Sequence, residues 1–360
     1  MFPDAKMYDL AIVGGGPAGA TLARLMAGRC KVILIEKRFI LGGRERNRGK
    51  CCGGLLSPDA QEALAELGLG IPDEVLVEPK SLSVRVIDVS AGLTVPLRIQ
   101  CVNVDRGRFE RWLLSLVPPE VEIQEGRRLA AIEDEGHGFR LHLVHGDRAE
   151  CIRARLLVGA DGADSIVRRT LAGEREKLGR YIAIQEWWQE SAYPPDFAII
   201  LDPSVTDFYA WTIPKDDALI VGASLCPRQQ PLRRMERLRE TLMRTGYRLG
   251  RRILRHGALL SRPRRVGDVI LGAGRLALVG EAAGLVSPTS GEGISYALRS
   301  ASALAGALSE GYDGFAERYA RATRPLRLSI LTKKVKSVLA FNPSLRRVIM
   351  RVAQPILRAG

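Results

Sequence analysis

The chain has 360 residues, 46% of them hydrophobic, and a formal net charge of +14. That length exceeds the roughly 250–300 residues at which a single core stops growing, so two domains are expected. A mean hydropathy of -0.01, with no apolar run of about 18 residues, argues against a membrane-spanning helix.

Residues 8–14 (YDLAIVG) read as a short apolar strand bounded by glycine, and 17–28 as a helix ending near Gly28. Residues 31–36 (KVILIE) are a second, nearly continuous apolar strand, as in a parallel sheet buried on both faces. A loop-like stretch, 38–58, leads to a helix over 58–67 that stops at Gly68 and Gly70. Residues 80–104 alternate as antiparallel strands, and 106–116 read as a helix. Short strands fill 121–158, with turns at Glu135-Gly136 and His145-Gly146-Asp147. Alternation returns over 181–225, followed by a helix at 231–245 and a β-rich stretch to 271. The apolar strand LALVG, 276–280, leads to a small-residue helix at 292–309, and the remainder reads as helical.

The opening segment, MFPDAKMYDL, has no basic region followed by an apolar one, so no signal peptide is expected and the protein is read as cytoplasmic. Six cysteines without a CxxC pair, and four scattered histidines, give no reason to expect a metal site. The usual nucleic-acid motifs are absent, so no nucleic-acid partner is expected.

Gly14-Gly15-Gly16-Pro17-Ala18-Gly19 fits GxGxxG. Its first glycine permits a tight turn, its second a close approach of backbone to pyrophosphate, and its third close packing of helix on strand. The helix N-terminus offers phosphate free N–H groups and about half a positive charge. The motif lies between two apolar strands, and the second ends in Glu36, placed to accept ribose hydroxyls. These features predict a bound dinucleotide without separating FAD from NAD.

Two later segments bear on that choice. Gly159-Ala160-Asp161-Gly162-Ala163-Asp164-Ser165, followed by Val167 and Arg168, resembles the GADGxxSxVR motif of the flavoprotein monooxygenase superfamily. Gly280-Glu281, followed by Pro288 and Gly291-Glu292-Gly293-Ile294, resembles its GD motif, with Glu281 where the family usually has Asp. Arg106 matches the superfamily arginine near the FAD phosphate and ribose. Lys50-Cys51-Cys52-Gly53-Gly54 and Tyr209-Ala210-Trp211-Thr212-Ile213-Pro214-Lys215 resemble the KxCGG and YxWxFPK segments of geranylgeranyl reductases, with Ile213 in place of Phe.

The resemblance implies FAD as cofactor, with Gly14, Gly16, Ala18, Gly19, Glu36, Lys37, Cys52, Gly53, Leu55, Arg106, Leu129, Asp161, Gly280, Glu281, Gly293 and Ile294 as candidates to hold it. It implies a para-hydroxybenzoate hydroxylase-like, α/β (α+β overall) fold: a Rossmann-like FAD domain with a parallel sheet, and a substrate domain with a mostly antiparallel one. The FAD domain is expected from segments 1–78, 105–175 and 271–310, and the substrate domain from 79–104 and 176–270, with basic helices over 311–360.

The implied reaction is reduction of C=C bonds in an isoprenoid or other apolar, lipid-like substrate. An unactivated alkene offers no carbonyl to polarise, so it must be held over the flavin for hydride delivery while a proton reaches the other carbon. Cys52 and Tyr209 are candidate donors, and Tyr209 and Trp211 a candidate pocket wall. Lys215 reads as a surface charge at a strand end. No second nucleotide fingerprint is present, so either NAD(P)H visits transiently or a ferredoxin or quinol supplies the electrons. An aromatic monooxygenase using NAD(P)H and oxygen, and an electron-transfer flavoprotein to quinone, are the alternatives.

From Arg318 onward there are eleven Lys or Arg and no Asp or Glu. Leu328, Leu331, Val335, Val338 and Leu339 follow helical spacing among Lys333, Lys334 and Lys336, and Asn342-Pro343 starts a second helix with Arg346, Arg347 and Arg351. Two readings stand: a cap over the substrate domain, or peripheral contact of 318–358 with the inner face of an anionic membrane.

Overall fold

The computed structural model describes residues 6–42, 50–173, 179–263, 265–342 and 344–346. The chain divides into two compact units. The first comprises Met1–Asn47, Gly107–Gly179 and Ser261–Thr332, and the second Arg48–Arg106, Arg180–Leu260 and Lys333–Gly360. The fold is mixed α/β, with an eight-stranded sheet in each unit.

In the first unit, strand Met7–Val13 runs parallel to Val32–Glu36 on one side and Arg148–Gly159 on the other, so that Ile12 faces Leu34 and Val158. Glu122–Glu125 and Leu276–Leu278 extend the parallel sheet at its two sides. All five residues of Val32–Glu36 are buried, which is why this strand reads as an unbroken apolar run rather than an alternating one. The helices Pro17–Met26 and Ile294–Ser309 pack through small residues. A Cβ on Gly280 would stand 3.2 Å from that of Ala18 and 3.4 Å from that of Ala297.

The second unit's sheet is largely antiparallel. It runs from Arg251–Arg262 through Gly179–Gln189, Ala218–Leu225, Ala210–Lys215, Phe197–Leu201, Leu76–Asp88 and Leu93–Val104 to Leu55–Leu56. Helix Pro231–Arg244 buries Met235, Leu238 and Leu242 against Leu219, Val221 and Ala223 of that sheet. A fully buried carboxylate, Glu186, gathers Arg239, Arg252 and Arg255 at 3.0, 3.3 and 2.8 Å, linking the helix, the edge strand and its neighbour.

Residues 48–78 belong to this second unit, although the spacing of segments places them with the dinucleotide fold. The reason is local pairing: Leu55 stands opposite Asn103 and Leu56 opposite Val102, and Gly54 O accepts from Val104 N at 2.8 Å. Residues 261–270 and 311–332 fall in the first unit.

The helix Arg324–Phe341 carries the apolar stripe expected of it, but the stripe is not the side it buries. It buries Ile330 and Ser337 on one side, while Leu328, Leu331, Val335, Val338 and Leu339 point outward, between 40% and 61% exposed. Asn342 Oδ1 accepts from Ser344 N and Leu345 N at 3.0 and 3.1 Å, the cap that the sequence predicts. Pro343, Arg347, Arg351 and the rest of the second basic helix lie outside the described residues.

Arg346, one of the basic residues of the expected second helix, is buried and donates to both oxygens of Asp88, at 2.6 and 3.1 Å. Burial pushes the Asp88 carboxyl up, but Arg346 and Ser90 outweigh it and hold the group below its usual 3.8. Arg346→Ala leaves a buried carboxylate unpaired, and should lower unfolding free energy at neutral pH by about 3–5 kcal/mol. A depressed carboxylate pKa stabilises above the unfolded value and stops doing so as pH falls through the folded one. Urea unfolding should therefore show the gap between wild type and Arg346→Ala closing below pH 3.8.

Candidate functional site

The first unit builds a phosphate cradle from backbone. Gly14, at φ 108°, turns the chain out of its strand, and a Cβ there would lie 2.5 Å from Ala160 O. A Cβ on Gly19 would stand 1.8 Å from Gly14 O, so only glycine lets the helix lie this close to the turn. Gly16 differs: nothing stands within 4 Å of the Cβ it lacks. It precedes a helix that starts with Pro17 and has no side-chain cap. The helix end is thus bare and open, as an anion requires.

Glu36 closes the βαβ unit. Its buried carboxylate accepts from Gly15 N at 2.7 Å and from Arg38 N and Nε at 2.9 and 3.0 Å. Arg38 Nη1 donates to Glu110, also buried, at 2.7 Å. Arg38 is a site residue that the motif does not reveal, since nothing in Glu36-Lys37-Arg38 says which cation turns back. Lys37 is exposed.

Asp161 follows the strand Arg148–Gly159. One oxygen accepts from Ile166 N at 2.8 Å, while the other, Oδ1, is buried without a hydrogen-bond partner. Burial pushes this carboxyl above its usual range, against the pull of its hydrogen bonds. Such an orphaned acceptor calls for a donor from outside the chain. Glu281 lies in a short turn after Leu276–Leu278 and accepts from Ser261 N at 2.8 Å. Gly280 N donates to Ser300 Oγ at 2.9 Å. Gly293 and Ile294 begin the helix Ile294–Ser309, where Glu292 accepts from Ser295 N at 2.7 Å. Ala18 is buried beside Gly280, and Leu129 is buried in the core with Phe139 and Leu141.

The cradle at Gly14, Gly16 and Gly19 together with the orphaned Asp161 oxygen fits the dinucleotide part of FAD.

The second unit holds the remaining candidates. Cys52, Gly53, Gly54, Arg106, Trp187, Lys215 and His256 line a cavity of about 50 Å³, room for a water or two. Its floor is tightly specified. A Cβ on Gly53 would meet Ile213 Cδ1 at 2.5 Å, and one on Gly54, at φ 62°, would meet Val104 O at 2.2 Å. Gln185 is fully buried. With its amide turned to satisfy both ends, it donates to Cys52 O at 3.3 Å and accepts from Gly53 N at 3.0 Å. The Arg106 guanidinium stands 3.8 Å from Cys52 Sγ. Cys51 is buried, and burial pushes its thiol up to about 12, which makes it inert at neutral pH.

Lys215 overturns its reading as a surface charge. It is 4% exposed, and Nζ donates to Gly54 O at 3.1 Å, to Val104 O at 2.8 Å and, in the shortest of the three bonds, to Asn103 Oδ1 at 2.5 Å. Burial lowers its pKa to about 7, with Cys52, Asp105 and Asp216 pulling the other way. Strand alternation cannot show this, because the acceptors come from two distant segments that close over the strand end.

Tyr209 and Trp211 do not line the cavity. Their rings pack on each other at 5.5 Å, in a cluster with Ile213 and Ile220 against which Leu55 and Trp187 also pack. Trp211 is buried over Gly222, where a Cβ would strike its ring at 2.4 Å, while Tyr209 is half-buried. Among the described residues, no group of His, Cys, Asp and Glu is placed to hold a metal.

Comparisons with known proteins agree with this assembly. An FAD binding domain model matches residues 93–238, and an NAD(P)-binding Rossmann-like domain model matches 12–50. The chain is 38% identical over 344 residues to protein CbrA of Escherichia coli O139:H28 (strain E24377A / ETEC), covering 96% of each. Against protein CbrA of Escherichia coli strain K12 the identity is 37%, again covering 96% of each. Among solved structures, a geranylgeranyl bacteriochlorophyll reductase-like protein from Thermoplasma acidophilum aligns with a TM-score of 0.78 at 20% identity, covering 94% of this chain and 88% of that one. PqsL from Pseudomonas aeruginosa, described as a probable FAD-dependent monooxygenase, aligns at 0.67 and 20% identity, covering 95% and 98%. These structural likenesses show the fold. The two domain matches support FAD as cofactor and NAD(P)H as reductant.

Proposed function

We propose that this chain, which belongs to the family of the protein CbrA and is an FAD-dependent oxidoreductase, reduces C=C bonds of an isoprenoid or other apolar, lipid-like substrate. One observation carries the reading. The two segments that resemble geranylgeranyl reductases meet at one cavity: Lys215, 161 residues further along the chain, binds Gly54 O, and Ile213 covers Gly53. The Thermoplasma protein's description as geranylgeranyl bacteriochlorophyll reductase-like supports the same direction.

Gly14, Gly16, Gly19, Glu36 and Asp161 would hold the dinucleotide. When bound and reduced, FAD supplies the hydride. The chain supplies the rest. Cys52, at the cavity, gives its thiol proton to the second alkene carbon. The Lys215 ammonium, lining the same cavity, opposes the thiolate charge and returns a proton through water. Trp187 and Ile220, which line the cavity, give it an apolar wall, with Tyr209 and Trp211 packed in the cluster behind them.

The monooxygenase reading rests on the same FAD segments and on the fold shared with PqsL. The two differ in their need for oxygen. With an alkene substrate present, NAD(P)H oxidation by the reductase should proceed at the same rate with and without oxygen. A rate that collapses when oxygen is removed would favour the monooxygenase.

A further inference from the structure

We propose that the outward face of the helix Arg324–Phe341 is a docking surface for an anionic lipid bilayer. The inference is independent of the reaction assigned above.

Leu328, Leu331, Val335, Val338 and Leu339 fall at i, i+3, i+7, i+10 and i+11, one stripe of an α-helix. All five are exposed, while the helix seats itself through Ile330 and Ser337 on its other side. The stripe is therefore surplus to folding, and its residues are large aliphatics rather than the scattered single hydrophobes of an ordinary surface. Leu345, also exposed, follows the helix.

Charge selects the occupant. Lys334 and Lys336 lie on opposite flanks of the stripe, and beyond Glu317 the sequence contains no acidic residue at all. A second copy of this chain would bring the same lysines against them, in a molecule whose net charge is +14. An anionic bilayer offers apolar depth for the stripe and negative headgroups for its flanks, the two signals that stable peripheral binding needs. The helix lies on such a surface and does not cross it, because no described helix is long and apolar enough to span a membrane.

The test is co-sedimentation of the full chain, loaded with FAD, with vesicles of phosphatidylcholine alone or mixed with phosphatidylglycerol, at low and high salt. The wild type should sediment with the anionic vesicles at low salt, and much less at high salt or with neutral vesicles. Leu331→Asp/Val335→Asp and Lys334→Glu/Lys336→Glu should each weaken partitioning at least about tenfold, which is about 1.4 kcal/mol. Leu328→Ser/Val338→Ser gives a milder variant should the aspartates disturb folding. All three should keep wild-type FAD content and melting temperature, since the substituted side chains do not pack in the core. Equal binding to neutral vesicles, no binding to either, or variants that bind as the wild type does would overturn the proposal. So would variants that convert a dimer to monomers while vesicle binding stays unchanged.

Discussion

Lys215→Met should lower turnover by about two orders of magnitude or more, the usual contribution of a positioned proton-transfer group, with KM nearly unchanged. The stability consequence is separate and has a defined sign. In the folded chain burial sets the Lys215 pKa at about 7, against 10.5 for the free side chain. Between those values the unfolded chain binds the extra proton, so wild-type stability rises with pH across that window. Each pH unit is worth about 1.4 kcal/mol. Below the folded value both states are charged, and the cost of burying the ammonium is fully present. Methionine removes both the cost and the titration, but leaves Gly54 O, Val104 O and Asn103 Oδ1 without this donor. Urea unfolding should therefore show wild type gaining on Lys215→Met from pH 7 toward 10.5. A difference that does not vary with pH would mean that the three acceptors keep the ammonium charged throughout.

Gly19→Ala and Gly16→Ala should separate the two duties of the fingerprint. The Gly19 methyl would meet Gly14 O at 1.8 Å, so strand and helix must move apart. The apoprotein should lose at least about 1–3 kcal/mol, and FAD binding should fail with it. At Gly16 a methyl meets nothing within 4 Å, so the apoprotein should melt as the wild type does. It would project instead where the pyrophosphate needs the backbone, and FAD affinity should fall on its own. Differential scanning calorimetry of the apoproteins, with FAD titration by fluorescence, distinguishes the cases. An unchanged FAD affinity in Gly16→Ala would remove this turn from the cofactor site.

What the sequence shows of this protein, and what it hides, divides along physical lines. The dinucleotide unit is legible because its parts are contiguous: the turn at Gly14, the bare helix end at Gly16 and the acid at Glu36 lie within one βαβ stretch. The period of two over 80–104 is legible because those strands bury one face more than the other, whereas within 181–225 the strands Ala210–Lys215 and Ala218–Leu225 are buried throughout. Lys215 is not legible, since its burial depends on Gly54, from a distant loop, and on Asn103 and Val104, from another strand. Gln185 is hidden likewise, as its partners, Cys52 and Gly53, lie in a distant loop. For the helix at Arg324–Phe341, periodicity gives the apolar stripe, but which side the helix buries is decided by its neighbours. Arg346 shows the same limit: among so many basic residues, only its pairing with Asp88 marks it as buried.

Alkene reduction at the site of Cys52 and Lys215 is tested by product mass from reduced, FAD-loaded enzyme in oxygen-free solution, screened against geranylgeranyl lipids, menaquinones and phytyl precursors. The expected product is heavier than its substrate by two hydrogen atoms, forms without oxygen, and forms in much lower yield with Cys52→Ser. No product under these conditions, together with a product carrying one added oxygen atom when air is admitted, would contradict it.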